Sequence, residues 1–335
     1  MGPIAVGGTD LAASHWYGAT RRRAWTAAIG AMAAGGLLAA CGASTGSVSS
    51  SGAGGFTGAG ATQPPAGAAP DLVTSVVSLR QALASGGIRI LDARPTADYE
   101  KGHIPGAVSI PVTETFDPAR DRNYPDVPER LAVLFAGKGI GAGTRVVVYD
   151  NGRETPAARL FWTLDYLGHR AAAVLDGGFP AWQAAGNQVA VEPASVQPAQ
   201  FVPAVESSAL HTKAECERML ASSSGVVMLD ARSPEEYRGD DVRAKYGGRI
   251  PGAVNVDWRE HFGADGLLKA PESLRALYTS KGVTPDKEIV AYCQTGQRSS
   301  VSYWVLRLLG YPRVANYAGS WVEWGNDPNT PKQAG

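Results

Sequence analysis

Leu91-Asp92-Ala93-Arg94, then Tyr99, then Gly102-His103-Ile104-Pro105-Gly106-Ala107-Val108: this stretch returns about 140 residues later as Leu229-Asp230-Ala231-Arg232, Tyr237 and Gly248-Arg249-Ile250-Pro251-Gly252-Ala253-Val254. Later blocks keep the same order. Val146-Val147-Val148-Tyr149-Asp150 answers to Glu288-Ile289-Val290-Ala291-Tyr292-Cys293, and Leu167-Gly168-His169 to Leu309-Gly310-Tyr311. Gly178-Phe179-Pro180-Ala181-Trp182 answers to Ser320-Trp321-Val322-Glu323-Trp324. Four blocks at nearly one offset mean that the chain holds two copies of one domain, each of roughly 120 residues.

Each copy reads as α/β. Ile88 to Leu91, Val226 to Leu229, Arg145 to Tyr149 and Glu288 to Tyr292 are short, nearly continuous apolar runs. Such runs suit strands of a parallel sheet covered by helices on both faces. After Cys293, the residues Val301, Trp304, Val305 and Leu308 fall at i, i+3, i+4 and i+7, the period of an amphipathic helix. Ser299 or Ser300 is suited to cap its start, and Gly310 to end it. Cys293 thus stands at the C-terminal end of a strand, the edge at which open α/β sheets place their ligands.

The segment Cys293-Gln294-Thr295-Gly296-Gln297-Arg298-Ser299 is the constellation that calls for chemistry. A short loop curling into a helix start aims several backbone N–H groups at one spot, where the helix dipole also favours negative charge. A cysteine there has a depressed pKa, and Arg298 adds a full positive charge. Gly296 permits a turn that a side chain would obstruct. A thiolate so held is a nucleophile, and the same N–H groups suit the terminal anion of a persulfide.

Other chemistry finds less support. Lys+Arg and Asp+Glu both number 31, so there is no basic field for nucleic acid. None of the five histidines (His15, His103, His169, His211, His261) lies in the loop, so a Cys–His hydrolase has no base by motif. No Cys/His cluster has metal-ligand spacing, no Gly-rich nucleotide fingerprint follows a first strand, and no cofactor is implied. Phosphatases and arsenate reductases place five residues between a catalytic cysteine and its arginine. Four separate Cys293 from Arg298, a smaller cradle that suits one sulfur atom better than a phosphate. A retired, non-catalytic sulfur-binding module conflicts with the retention of both Cys293 and Arg298.

From about residue 72 to 330 the chain resembles tandem rhodanese domains, the fold of thiosulfate and 3-mercaptopyruvate sulfurtransferases. The resemblance rests on the Asp-Ala-Arg…Tyr…Gly-His-Ile-Pro-Gly-Ala blocks, Leu175 to Trp182 and Tyr317 to Trp324. It implies that only the C-terminal copy is catalytic. Asp150, which stands in the place of Cys293, agrees, because an aspartate cannot carry sulfane sulfur. The first copy is then structural and shapes one wall of the cleft. The resemblance further implies a monomer that passes sulfur to cyanide or a thiol from thiosulfate or, as the alternative, from 3-mercaptopyruvate. 3-Mercaptopyruvate enzymes typically carry a small, neutral loop after the cysteine. Gln294, Gln297 and Arg298 instead resemble thiosulfate-type loops, and a guanidinium matches a compact dianion. Two departures weigh the other way. Glu236 stands where some members place a substrate-binding arginine, and Arg249 replaces the usual histidine, restoring a cation near the site by expectation.

Beyond the catalytic pair Cys293 and Arg298, the expected binding residues are Gln294, Thr295, Gly296, Gln297, Ser299, Asp230, Arg232, Arg249, Trp258 and Trp321. Asp230 is expected to pair with Arg298 or Arg232. Trp258 and Trp321 are expected to wall an apolar pocket over the persulfide. His103 reads as structural within its tight turn. Cys216 reads as a partly buried thiol on a helix, with a resolving role for Cys293 as the alternative.

Arg21-Arg22-Arg23 and the charge-free run from Ala24 to Ala40 have the form of a signal segment, about 17 residues that are too weakly apolar for a stable membrane span. It ends in Leu38-Ala39-Ala40-Cys41, which resembles a bacterial lipobox with Cys41 as the lipidated residue. The Gly/Ser/Ala/Pro-rich segment that follows cannot bury enough surface to offset its ordering entropy. The expected organisation is a signal peptide at 1–40, a flexible tether at 41–70, a non-catalytic domain at 71–190 and a catalytic domain at 205–330. The protein is expected outside the cytoplasm, attached to the membrane through Cys41.

Overall fold

The computed structural model describes residues 72–120, 124–152, 155–222 and 225–335. The expected signal segment, Cys41 and the tether lie outside the described residues. In the first half the elements run β1 (Val73–Thr74), α1 (Val76–Ser85), β2 (Ile88–Asp92), α2 (Thr96–Lys101), β3 (Ala107–Ser109), α3 (Pro128–Gly137), β4 (Arg145–Tyr149), α4 (Pro156–Tyr166), β5 (Ala172–Leu175) and α5 (Gly178–Ala184). The second half repeats them as β6 (Leu210–His211), α6 (Lys213–Ser222), β7 (Val226–Asp230), α7 (Pro234–Arg238), β8 (Val254–Asn255), α8 (Pro271–Thr279), β9 (Glu288–Tyr292), α9 (Arg298–Leu308), β10 (Val314–Tyr317) and α10 (Ser320–Trp324).

Among the described residues each half holds a five-stranded sheet, in the orders β1-β5-β4-β2-β3 and β6-β10-β9-β7-β8. All the pairings between these strands are parallel. This is the α/β architecture that the apolar runs predict. The central strands β4 and β9 are buried along four of their five residues, because helices cover both faces. Cys293 follows the last residue of the middle strand β9.

The helix after Cys293 departs from its expected one-sided pattern. Ser299 to Leu306 of α9 are all buried, because one side of the helix lies on its own sheet and another meets α4 of the first half. Tyr303 donates to Asp165 Oδ2 at 2.6 Å, and the Trp304 indole donates to the Leu72 carbonyl at 2.7 Å. Side chains of both halves form one apolar core across this seam. Neither serine caps the helix. Gln297 occupies the cap position without a side-chain bond, while Ser299 and Ser300 lie within the first turn. Gly310 does follow the helix, with φ +82°. Among the described residues, no helix is long and apolar enough to cross a membrane.

Candidate active site

The chain leaves β9 at Tyr292, turns through Cys293 to Gln297 and enters α9 at Arg298. Gly296 has φ +76°, and a Cβ there would lie 2.6 Å from the Ala318 carbonyl oxygen, so only glycine fits. This turn lets the Gly296 N–H donate to Cys293 Sγ at 3.1 Å. The Ser299 hydroxyl lies 3.6 Å from the sulfur and is held by Asn316 Oδ1 at 2.7 Å. Cys293 has no exposed surface. Burial pushes its thiol up, but the Arg298 charge and the hydrogen bonds from Ser299 and Thr295 outweigh burial and hold it below its ordinary value.

Arg298 does not pair with Asp230. Its two terminal nitrogens donate to Glu236 at 2.6 and 2.8 Å. Burial alone would weaken both charges. The pairing overrides it, raising Arg298 and lowering Glu236. Glu236 is itself 1% exposed and lies 3.8 Å from Arg243. Gln294 donates to the Arg243 carbonyl at 2.9 Å. Beside the loop opens a cleft of about 680 Å³, lined by Arg298, Thr295, Gln294, Glu236, Arg243 and Trp258 among others. Gln297 is half-buried at the helix cap.

Three expected binding residues and the second wall tryptophan belong elsewhere. Asp230 and Arg232 form a closed buried pair, with Nε–Oδ1 at 2.9 Å and a terminal nitrogen on Oδ2 at 2.6 Å. Arg232 also reaches the Gly248 carbonyl at 2.7 Å and lies over the Trp321 ring at 4.5 Å. Asp92 and Arg94 make the same pair in the first half, with Gly102 as the carbonyl partner at 2.7 Å. A feature shared with the copy that lacks the cysteine is a brace of the fold. Arg249 restores no cation to the loop: it stacks on Tyr237 at 4.4 Å and donates to the Gly335 carbonyl. His103 holds the equivalent place, stacked on Tyr99 at 3.8 Å. Trp321 is a core residue whose backbone N–H donates to the Cys293 carbonyl at 2.9 Å and whose indole donates to the Tyr246 carbonyl at 3.1 Å, so it supports the loop from below. Trp258 does line the cleft.

Cys216 is fully rather than partly buried, and burial together with Glu215 and Glu323 pushes its thiol upward. Both described cysteines are free thiols. Among the described residues no three His, Cys, Asp or Glu side chains gather as metal ligands.

Arg159, Ser320 and Asn316 have no counterpart among the expected residues. Arg159 of α4 has no exposed surface and donates from Nη1 to the Gly296 carbonyl at 2.9 Å. Ser320 has φ +53°, and its hydroxyl accepts from the Cys293 N–H at 3.2 Å and donates to the Tyr317 carbonyl at 2.8 Å. In the first half the same position is Gly178, with φ +55°. A serine aligned with a left-handed glycine is the signal that marks it, because that strain persists only where the surroundings enforce it.

A nucleophilic cysteine in an N–H cradle at the C-terminal edge of a doubled parallel sheet defines a class of group-transfer site. The rhodanese-like domain family matches residues 75–185 and 212–327, and the chain belongs to that family in its tandem form. A thiosulfate sulfurtransferase of Azotobacter vinelandii is 37% identical over 271 residues, covering 78% of this chain and 96% of that protein. Sulfur carrier protein TtuD of Thermus thermophilus is 36% identical over 277 residues, 79% of this chain and 97% of that one. Among solved structures, the anaerobic ergothioneine biosynthesis enzyme from Chlorobium limicola, bound to trimethyl histidine, matches with a TM-score of 0.70. It is 26% identical, over 79% of this chain and 70% of that chain.

Proposed function

We propose that the protein is a sulfurtransferase that takes sulfane sulfur from thiosulfate and passes it to cyanide or a thiol through a persulfide on Cys293. The Cys293 thiolate attacks the outer sulfur of thiosulfate. The S–S bond breaks, sulfite leaves with the electron pair, and Cys293 carries one added sulfur. The acceptor nucleophile then attacks that terminal sulfur and returns the thiolate. The N–H groups of the loop stabilise the persulfide anion, and Arg298 stabilises charge developing on sulfite. Glu236 pins the guanidinium in place, so the cation is positioned before a donor arrives.

The carrying observation is the Gly296 N–H on Cys293 Sγ at 3.1 Å, beside the half-buried Arg298, in a copy of the fold whose twin has Asp150 instead. The names of the Azotobacter and Thermus relatives support the same reading. Incubation with thiosulfate should add the mass of one sulfur atom to the peptide containing Cys293. Hydrolysis of phosphate esters without that gain would favour the phosphatase reading, and neither activity would favour a binding module. Turnover of 3-mercaptopyruvate far above that of thiosulfate would overturn the choice of donor.

The same proposal places the protein outside the cytoplasm, held to the membrane by acylated Cys41. Mass spectrometry of the mature protein is expected to find residues 1–40 removed and Cys41 acylated; an intact N-terminus defeats this.

A further inference from the structure

The first copy of the domain lacks a cysteine at its own loop, yet it sends a side chain into the loop of the second. Arg159 stands on the first turn of α4 with no exposed surface. Its guanidinium lies over the Trp162 ring at 4.3 Å and donates to the Gly296 carbonyl at 2.9 Å. Two more donors meet the same oxygen: Ser300 Oγ at 2.9 Å and Asn316 Nδ2 at 2.9 Å. Gly296 is therefore held at its carbonyl by three donors, while its N–H is the group that donates to Cys293 Sγ. Its left-handed conformation leaves little room, since a Cβ would fall 3.1 Å from Arg159 Nη1.

A buried cation has a high desolvation penalty unless charge or polar groups compensate it. Burial pushes Arg159 down to about 9, which still leaves it cationic at neutral pH, and negative charge on Cys293 pulls it upward. Attraction in a poorly solvated interior is reciprocal, so the same charge favours the thiolate.

We infer that Arg159 of the non-catalytic domain is a positioning residue for the sulfur-carrying loop, clamping Gly296 so that its N–H faces Cys293 and lending positive charge to the thiolate and the persulfide. The inference rests on Cys293 being the nucleophile. The residues lining the cleft all belong to the second copy, so the first copy is not the expected wall of the cleft but a working part of the site through Arg159.

The test uses the full chain with Arg159→Met and Arg159→Lys, and follows iodoacetamide alkylation of the Cys293 peptide against pH by mass spectrometry. Arg159→Met should raise the alkylation midpoint by about one pH unit, equivalent to roughly tenfold less thiolate below the midpoint. Its kcat for sulfur transfer should fall by about tenfold or more with KM for thiosulfate nearly unchanged, as for an interaction made in the transition state. Arg159→Lys should recover most of the midpoint. An unshifted midpoint in a folded Met variant, or a Lys variant no better than Met, overturns the inference. Should the Met variant not fold, Arg159→Gln carries the same measurement, because it removes the charge while keeping a donor. Alkylation reads the thiolate without any sulfur transfer, so failure of the sulfurtransferase reading is seen separately in the absence of a persulfide.

Discussion

Asp150 and Cys293 occupy the same place in two copies of one fold, each directly after the central strand of its sheet. Each backbone carbonyl accepts an N–H from the helix beyond the next strand, Phe179 at 2.8 Å in one copy and Trp321 at 2.9 Å in the other. The side chains then diverge. Asp150 accepts from the Gly152 N–H at 2.8 Å and the Ala157 N–H at 3.1 Å, so its own side chain fills the cradle and caps α4. Cys293 offers a polarisable sulfur to a cradle with a side-chain hydroxyl and the Arg298 cation. The first helical residue is Pro156 in one copy and Arg298 in the other. The fold thus supplies an anion site twice, and the choice of anion decides whether that site is structural or chemical.

The strongest way to break the comparison is to exchange the anions. Cys293→Ser should abolish persulfide formation while the fold survives, read as loss of the added sulfur mass. Adding Asp150→Cys to that variant should not restore it, because Pro156 supplies no charge where α9 begins with Arg298. A persulfide on residue 150 would show that the cradle alone suffices.

Next in size are the paired braces. Asp92→Ala and Asp230→Ala each leave a buried arginine without its carboxylate, and each should lower stability to urea by about 3–5 kcal/mol. Equal losses would confirm that Asp230 belongs to the fold; a much larger effect on transfer than on stability for Asp230 would return it to the site.

Arg298→Ala should weaken thiosulfate use by roughly 1.5–3 kcal/mol, the range of one charge-assisted contact. The pH at which Cys293 alkylates should also rise, because Arg298 is the leading influence that opposes burial in lowering this thiol. A double variant with Glu236→Gln separates loss of the cation from the penalty of a stranded carboxylate. The smallest expected effect is that of Asp150→Ala, about 1 kcal/mol of stability as for loss of a helix cap, with the rate of transfer unchanged.

The doubled fold was legible in sequence because buried parallel strands read as apolar runs and because two copies reinforce each other. Cys293 and the Gly296 turn were legible for a local reason: the chemistry lies within seven consecutive residues. What escaped was long-range. Glu236 meets Arg298 across 62 positions, and Arg159 meets Gly296 across 137. Spacing along the chain carries no trace of such pairs. Arg249 and Trp321 were misplaced because residue type suggested a cation and a wall, whereas the tight turn directs the first onto Tyr237 and the helix packing puts the second beneath Arg232. The buried sides of α9 depart from an amphipathic pattern, since part of its covering belongs to the other copy.

The bond from the Trp304 indole to the Leu72 carbonyl has a mechanical consequence. Leu72 is where the described chain enters the fold, just ahead of β1, which pairs with β5 at the edge of its sheet. Tension on the preceding chain therefore arrives at two points together: an edge strand of one copy and the middle of the helix that starts at Arg298 in the other. The strand ladder is loaded along its length, in shear, and the indole serves as a rivet to the second copy. A pull is shared by both halves at their seam before any of it reaches the loop around Cys293.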